Sequence, residues 1–167
     1  MNCNDPSTTT HGPHVYAPHV YTLRVYYEDT DAGGIVYYAN YLRFIERART
    51  EALRERGIPH ARLVEQFARM FVVRRVEMDY LRPAKLDDLL SVATEAEEIG
   101  GASLVLRQSV MAADATILAV ARVRLACVGL TEERPKRIPP PWRAGLQSLR
   151  PHTGTATQTV SETRSGL

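Results

Sequence analysis

The chain has 167 residues, enough for one domain with a substantial core and too few for two comfortable ones. Apolar residues at 44% and charged residues at 24% are those of an ordinary globular protein, and a net charge of +2 gives no electrostatic footprint for nucleic acid. Two cysteines, Cys3 in a polar tail and Cys127 in an apolar run, suggest no disulfide framework. With no apolar leader and no window of about 18 apolar residues, neither a signal peptide nor a stable membrane insertion is expected, and the expected location is cytoplasmic.

Residues 1–18 are rich in Thr, His, Pro and Asn, have no apolar period and read as a disordered tail. His11, His14 and His19 lie in or beside it without partner carboxylates or thiolates, so no metal site is expected. From Tyr21 the pattern changes: Tyr21, Leu23, Val25 and Tyr27 alternate with polar neighbours, as in a strand with one buried face. An acidic, glycine-containing turn follows, Asp29-Thr30-Asp31-Ala32-Gly33-Gly34, where glycine can accept positive φ. Tyr38, Tyr41, Leu42, Ile45, Ala48, Ala52 and Leu53 then share a face at helical spacing, and Gly57-Ile58-Pro59 stops the helix. Asp31 therefore precedes a helix whose first turn offers unpaired N–H groups and a partial positive charge. A carboxylate and donors for an oxyanion converge there.

Ala61–Phe67 reads as a short helix or turn. Met70 to Tyr80 alternates as a strand, with Arg74 on its more apolar face and Pro83 ending it. Leu89–Ile99, Ala102–Met111 and Thr116–Val128 form a predicted antiparallel meander, turning at Gly100-Gly101 and Ala113-Asp114. The expected domain, residues 19–130, is α+β: a five-stranded antiparallel sheet wrapped around one long helix. A single helix leaves sheet edges uncovered, which favours self-association. Residues 131–167 are Pro/Arg-rich, then polar, and read as a mostly disordered tail in which Trp142 is an anchor for the domain.

The run Tyr27-x-Asp29-Thr30-Asp31-x-x-Gly34-x-Val36-Tyr37-x-x-x-Tyr41, followed by Glu46-Arg47-Ala48-Arg49-Thr50-Glu51, resembles the acyl-CoA thioesterases of the hotdog superfamily. The resemblance is to the 4-hydroxybenzoyl-CoA thioesterase group and its branch associated with the bacterial Tol-Pal envelope system. It implies a hotdog fold, hydrolysis of an acyl-CoA, no cofactor, and a homo-oligomer, dimer or tetramer, with sites at subunit interfaces. Some relatives associate with acyl carrier protein. The resemblance makes Asp31 the catalytic carboxylate and a backbone N–H near Tyr38 the group that polarises the thioester carbonyl. Many members of the Tol-Pal branch carry His where this chain has Tyr38, so the resemblance supports the backbone donor and not a histidine.

A thiolate leaving group, with a pKa of about 8.5 for a free thiol, needs no strong general acid, so one carboxylate and an oxyanion site suffice. Asp31 then serves as general base or as nucleophile. On spacing alone, Asp31 also reads as an ordinary turn or cap residue. Further candidates for substrate contact are Tyr27, whose alternation favours the core, Gly34, and Asn40, which caps the helix or lines the site. Coenzyme A phosphates need cations, for which Arg74, Arg82 and Lys85 are candidates, with Arg75 beside them. Glu46 reads as an ion-paired surface residue.

Other chemistries fit less well. A calcium loop starting at Asp29 would have Gly33 at its fifth position and Asn40 in place of the terminal Glu, and no phosphate loop or G-x-S-x-G motif occurs. The alternative functions are a hotdog protein that binds acyl-CoA or acyl carrier protein without turnover, or a hydratase. For the latter, His60 is poorly placed after the helix.

Overall fold

The computed structural model describes residues 18–132 and 134–151. The first alternating run forms β1, His19–Arg24. The helical period forms α1, Asn40–Glu55, which buries Tyr41, Phe44, Ile45, Ala48, Ala52 and Leu53 at intervals of three and four residues. Tyr38 precedes the first turn, and it and Leu42, both expected on the buried face, are exposed. The helix ends as the glycine predicts: Gly57 has φ +73°, its N–H donates to the Arg54 carbonyl, and the Ile58 N–H donates to the Leu53 carbonyl. A short α2, His60–Phe67, follows.

The remaining strands are β2, Arg69–Tyr80; β3, Leu89–Ile99; β4, Ser103–Met111; and β5, Ile117–Gly129. They form one sheet in the order β1-β3-β4-β5-β2, with every neighbouring pair antiparallel. This is the expected hotdog layout. It puts β1 and β2, which flank α1 in the chain, at opposite edges of the sheet. The Arg74 anomaly resolves as a β-bulge: Val73 pairs with Leu125 and Arg75 with Arg124, so Arg74 is an extra residue.

Gln108, in the middle of β4, ties the sheet to α1. Its Nε2 donates to the Ile45 carbonyl at 2.8 Å and to Thr94 Oγ1 at 3.0 Å, while its Oε1 meets Arg49 Nη1 at 3.5 Å. Gln108, Thr94 and Arg49 are all buried. Burial lowers the Arg49 pKa, with nearby Glu46 opposing the shift.

Two helices besides α1 belong to the domain, and the second corrects the expected boundary. Within the segment read as a disordered tail, Pro140–Gln147 forms α3, and Ile138, Trp142, Leu146 and Leu149 join the core. These four recur every three or four residues, an apolar stripe obscured by the surrounding Pro and Arg. Pro140 and Pro141 suit the first turn of α3, where a missing N–H costs nothing. Trp142 meets Phe67 edge-on at 5.2 Å, Arg143 Nη1 donates to the Gly100 carbonyl at 2.6 Å, and the Ala96 N–H donates to the Leu149 carbonyl at 2.8 Å. Residues 1–17, with Cys3, His11 and His14, and residues 133 and 152–167 lie outside the described residues.

Trp142 is 3% exposed. Trp142→Ala is expected to destabilise the fold by about 3–5 kcal/mol, read as a lower midpoint in urea or guanidinium unfolding. An unchanged midpoint would show that α3 does not close the core.

Candidate functional site

The acidic turn is built around two aspartates with opposite surroundings. Asp29 is 6% exposed, and its Oδ2 accepts the Tyr26 N–H at 2.9 Å across a 3-10 turn at Tyr27–Asp29. Its carbonyl accepts the Tyr37 N–H at 2.8 Å and Asn40 Nδ2 at 3.0 Å. Beyond it the chain doubles back: Thr30 bridges Val36, the Asp31 N–H donates to the Ile35 carbonyl, and Gly34 turns at φ +72°. Asp31 is exposed on this loop. Its Oδ1 accepts the Gly33 N–H at 2.8 Å, which fixes the carboxylate, and its Oδ2 has no hydrogen bond among the described residues.

The returning arm of the loop enters α1 through Tyr37, Tyr38 and Ala39. The Asn40 N–H donates to the Tyr37 carbonyl at 2.8 Å, and the Leu42 N–H turns to the Ala39 carbonyl at 3.2 Å. The Tyr38 carbonyl instead accepts the Tyr80 hydroxyl at 3.0 Å. The N–H groups of Tyr38 and Ala39 make no hydrogen bond among the described residues. Two backbone donors thus stand open at the positive end of a helix. The Asp31 charge reaches this arm: the Tyr37 phenol is raised first by the neighbouring Tyr38 hydroxyl and, to a smaller degree, by burial and Asp31.

Beside the helix entry lies a cavity of about 310 Å³, lined by Ile35, Val36, Tyr38, Tyr41, Tyr80 and the Leu81-Arg82-Pro83 segment. The Tyr80 ring stands edge-on to Tyr38 at 6.3 Å and to Tyr41 at 5.5 Å. Buried Tyr41 accepts the Ala84 N–H on its hydroxyl oxygen at 3.1 Å, and burial pushes its phenol pKa up. The cavity is apolar and aromatic, with the exposed carboxylate loop beside it.

The structure brings together Asp31, Gly34, Tyr38, Arg82 and Lys85, the last through a bridge between Ile35 and Lys85 that docks the loop. Asn40 is neither cap nor lining. Ala39 is the cap residue, and the buried Asn40 amide spans to the Asp29 and Glu28 carbonyls. Tyr27 is 82% exposed because the chain leaves the strand pattern after Val25 and enters the 3-10 turn, so its side chain does not continue the apolar face. Arg74 sits six residues before Tyr80 along β2, about 20 Å away at strand spacing, and does not reach the cavity. Glu46 accepts the Thr50 hydroxyl at 2.9 Å on the exposed side of α1. Among the described residues no group of three or more potential metal ligands occurs.

Sequence reasoning missed Asp29 as the buried partner of the loop, and Tyr41 and Tyr80 as cavity walls. The Asn40 amide is held by the main-chain carbonyl of Asp29, which no side-chain spacing announces, and nothing local shows that the end of β2 returns over the helix entry. Asn40→Ala is expected to cost about 1–3 kcal/mol, because it strips a donor from a buried carbonyl. Asp31→Asn, on an exposed loop, is expected to stay within about 0.5 kcal/mol of wild type in the same unfolding measurement. The reverse ranking would mean that the Asp31 carboxylate, and not the Asn40 amide, is the structural tie of the loop.

Comparison with known proteins bears on this geometry. Residues 33–119 match the thioesterase superfamily. An acyl-CoA thioesterase YbgC of Haemophilus influenzae is 45% identical over 128 residues, covering 77% of this chain and 93% of that protein. An acyl-CoA thioester hydrolase YbgC of Escherichia coli O6:H1 is 46% identical over 118 residues, covering 70% of this chain and 87% of that protein. Among solved structures, a probable thioesterase from Bartonella henselae is 36% identical with a TM-score of 0.69, covering 74% of this chain and 100% of that one. This chain belongs to the thioesterase superfamily.

Proposed function

We propose that the protein hydrolyses the thioester of an acyl-CoA to a free carboxylic acid and coenzyme A, with Asp31 as its catalytic carboxylate. The observation that carries this reading is the pairing of an exposed, oriented carboxylate with two unengaged N–H groups at the start of α1, beside an apolar cavity. The YbgC relatives, acyl-CoA thioesterases by name, support the substrate class.

In this mechanism the thioester carbonyl oxygen lies against the open N–H groups of Tyr38 and Ala39, and the acyl group enters the tyrosine-lined cavity. As oxygen gains charge in the tetrahedral intermediate, a donor already fixed in place stabilises it without reorganising. Asp31 either removes a proton from the attacking water or attacks the carbonyl itself, giving a mixed anhydride that water then opens. Either route expels a thiolate, which is a good enough leaving group without a strong acid. Arg82 and Lys85 are the cations proposed for the coenzyme A phosphates. Arg74 has no part in a single-chain site.

The proposed setting is cytoplasmic, with acyl carrier protein as a second source of thioester. Among the described residues no helix is long and apolar enough to cross a membrane. A homo-oligomer is proposed from the edge strand β2, where Val73, Val76 and Tyr80 are exposed along a ladder with one free side.

Thiol release from short aliphatic, long aliphatic and aromatic acyl-CoAs tests the reaction. Wild type is expected to turn over at least one class, and Asp31→Asn to lose on the order of 100-fold or more in kcat. Release undiminished in the variant would remove Asp31 from the mechanism, and no release by folded wild type would favour the binding role. Sedimentation equilibrium is expected to give a dimer or tetramer, and a monomer would overturn the oligomer proposal.

A further inference from the structure

We propose that Tyr80 is a positioning residue for the reaction: its phenol, donating to the Tyr38 carbonyl, holds the helix-entry peptides in the orientation that presents their N–H groups to the thioester oxygen. The inference rests on the thioesterase reading above.

The hydrogen bonds at the helix entry lead to it. In a regular α-helix the Leu42 N–H would reach the Tyr38 carbonyl, but here it donates to Ala39. The Tyr38 carbonyl is therefore left outside the helical ladder, and the Tyr80 hydroxyl takes its place at 3.0 Å. The preceding carbonyl, of Tyr37, is already held by the Asn40 N–H. Each peptide plane whose N–H stands open is thus tied through its carbonyl: the Tyr38 N–H by the Asn40 bond, and the Ala39 N–H by the Tyr80 bond. Bonding at the carbonyl of a peptide also polarises the N–H of the same unit, which strengthens it as a donor.

The tie comes from a distant, rigid element. Tyr80 is the last residue of β2, 42 positions along the chain from Tyr38. Although 48% exposed, its ring is not free, being set edge-on between Tyr38 and Tyr41. A carbonyl can only accept, so the phenol must keep its proton, and burial and Tyr38 both raise the Tyr80 pKa above its ordinary value.

The test is Tyr80→Phe in the full chain, with Asp31→Asn in parallel, on the acyl-CoA that wild type turns over fastest. Phe keeps the ring and removes the donor. The expected result is a kcat about three- to tenfold lower, the scale of one neutral hydrogen bond, with KM within about twofold and the melting temperature unchanged. The order of preference over acyl groups is expected to persist in Tyr80→Phe and to change in Tyr80→Ala, which opens the cavity wall. Unchanged kcat in Tyr80→Phe, or a rise in KM alone, would overturn the inference while an inactive Asp31→Asn left the thioesterase reading standing. A loss of kcat matched by a lower melting temperature would make Tyr80 structural and overturn it equally. No thiol release by wild type would remove both.

Discussion

The site depends on one backbone oxygen. The Asp29 carbonyl accepts both the Tyr37 N–H and the Asn40 amide, so the acidic turn and the first residues of α1 are locked to a common point. The Asn40 bond is buried, where an unmade partner costs more than a made one contributes. The exposed carboxylate two residues later is then oriented by a loop that is itself tied down by hydrogen bonds. Rigidity beneath and exposure above are the two conditions a lone catalytic carboxylate needs.

A second lock sets the helix against the sheet. Gln108 reaches from β4 to the Ile45 carbonyl, and packing of Phe44, Ile45, Ala48 and Ala52 fills the space around it. Apolar packing alone tolerates small rotations of a helix, whereas a buried amide bonded to a specific carbonyl does not. The entry to α1 is consequently fixed from below by Gln108, from one side by Asp29, and from the other by Tyr80.

Much of this architecture is legible in the sequence, and the failures have physical causes. Alternation locates β1 and β2 and the turn residues locate the three strands of the meander, all to within a few residues, and Gly57 marks the end of α1, because these are local consequences of backbone geometry. The bulge at Arg74 shows as a conflict in the pattern, without its solution. Tyr27 departs because it opens a three-residue 3-10 turn, which takes it off the buried face. The helix at 140–147 was hidden by its composition, since an apolar residue every third or fourth position reads weakly among prolines and arginines. Asp31 as a catalytic residue rests on family resemblance, not on spacing. The tyrosine cavity is non-local, assembled from a helix and the far end of a strand.

The strand order has a consequence for how the chain is made. The two strands flanking α1 sit on opposite edges of the sheet and pair with partners synthesised later, β1 with β3 and β2 with β5. During synthesis the helix and both edge strands therefore leave the ribosome with no template, while the three-strand meander that will receive them is still to come. Such long sequence separations slow folding, because loop closure precedes the contacts that reward it. The amphipathic helix is also uncovered for that interval, its apolar face exposed until the sheet forms.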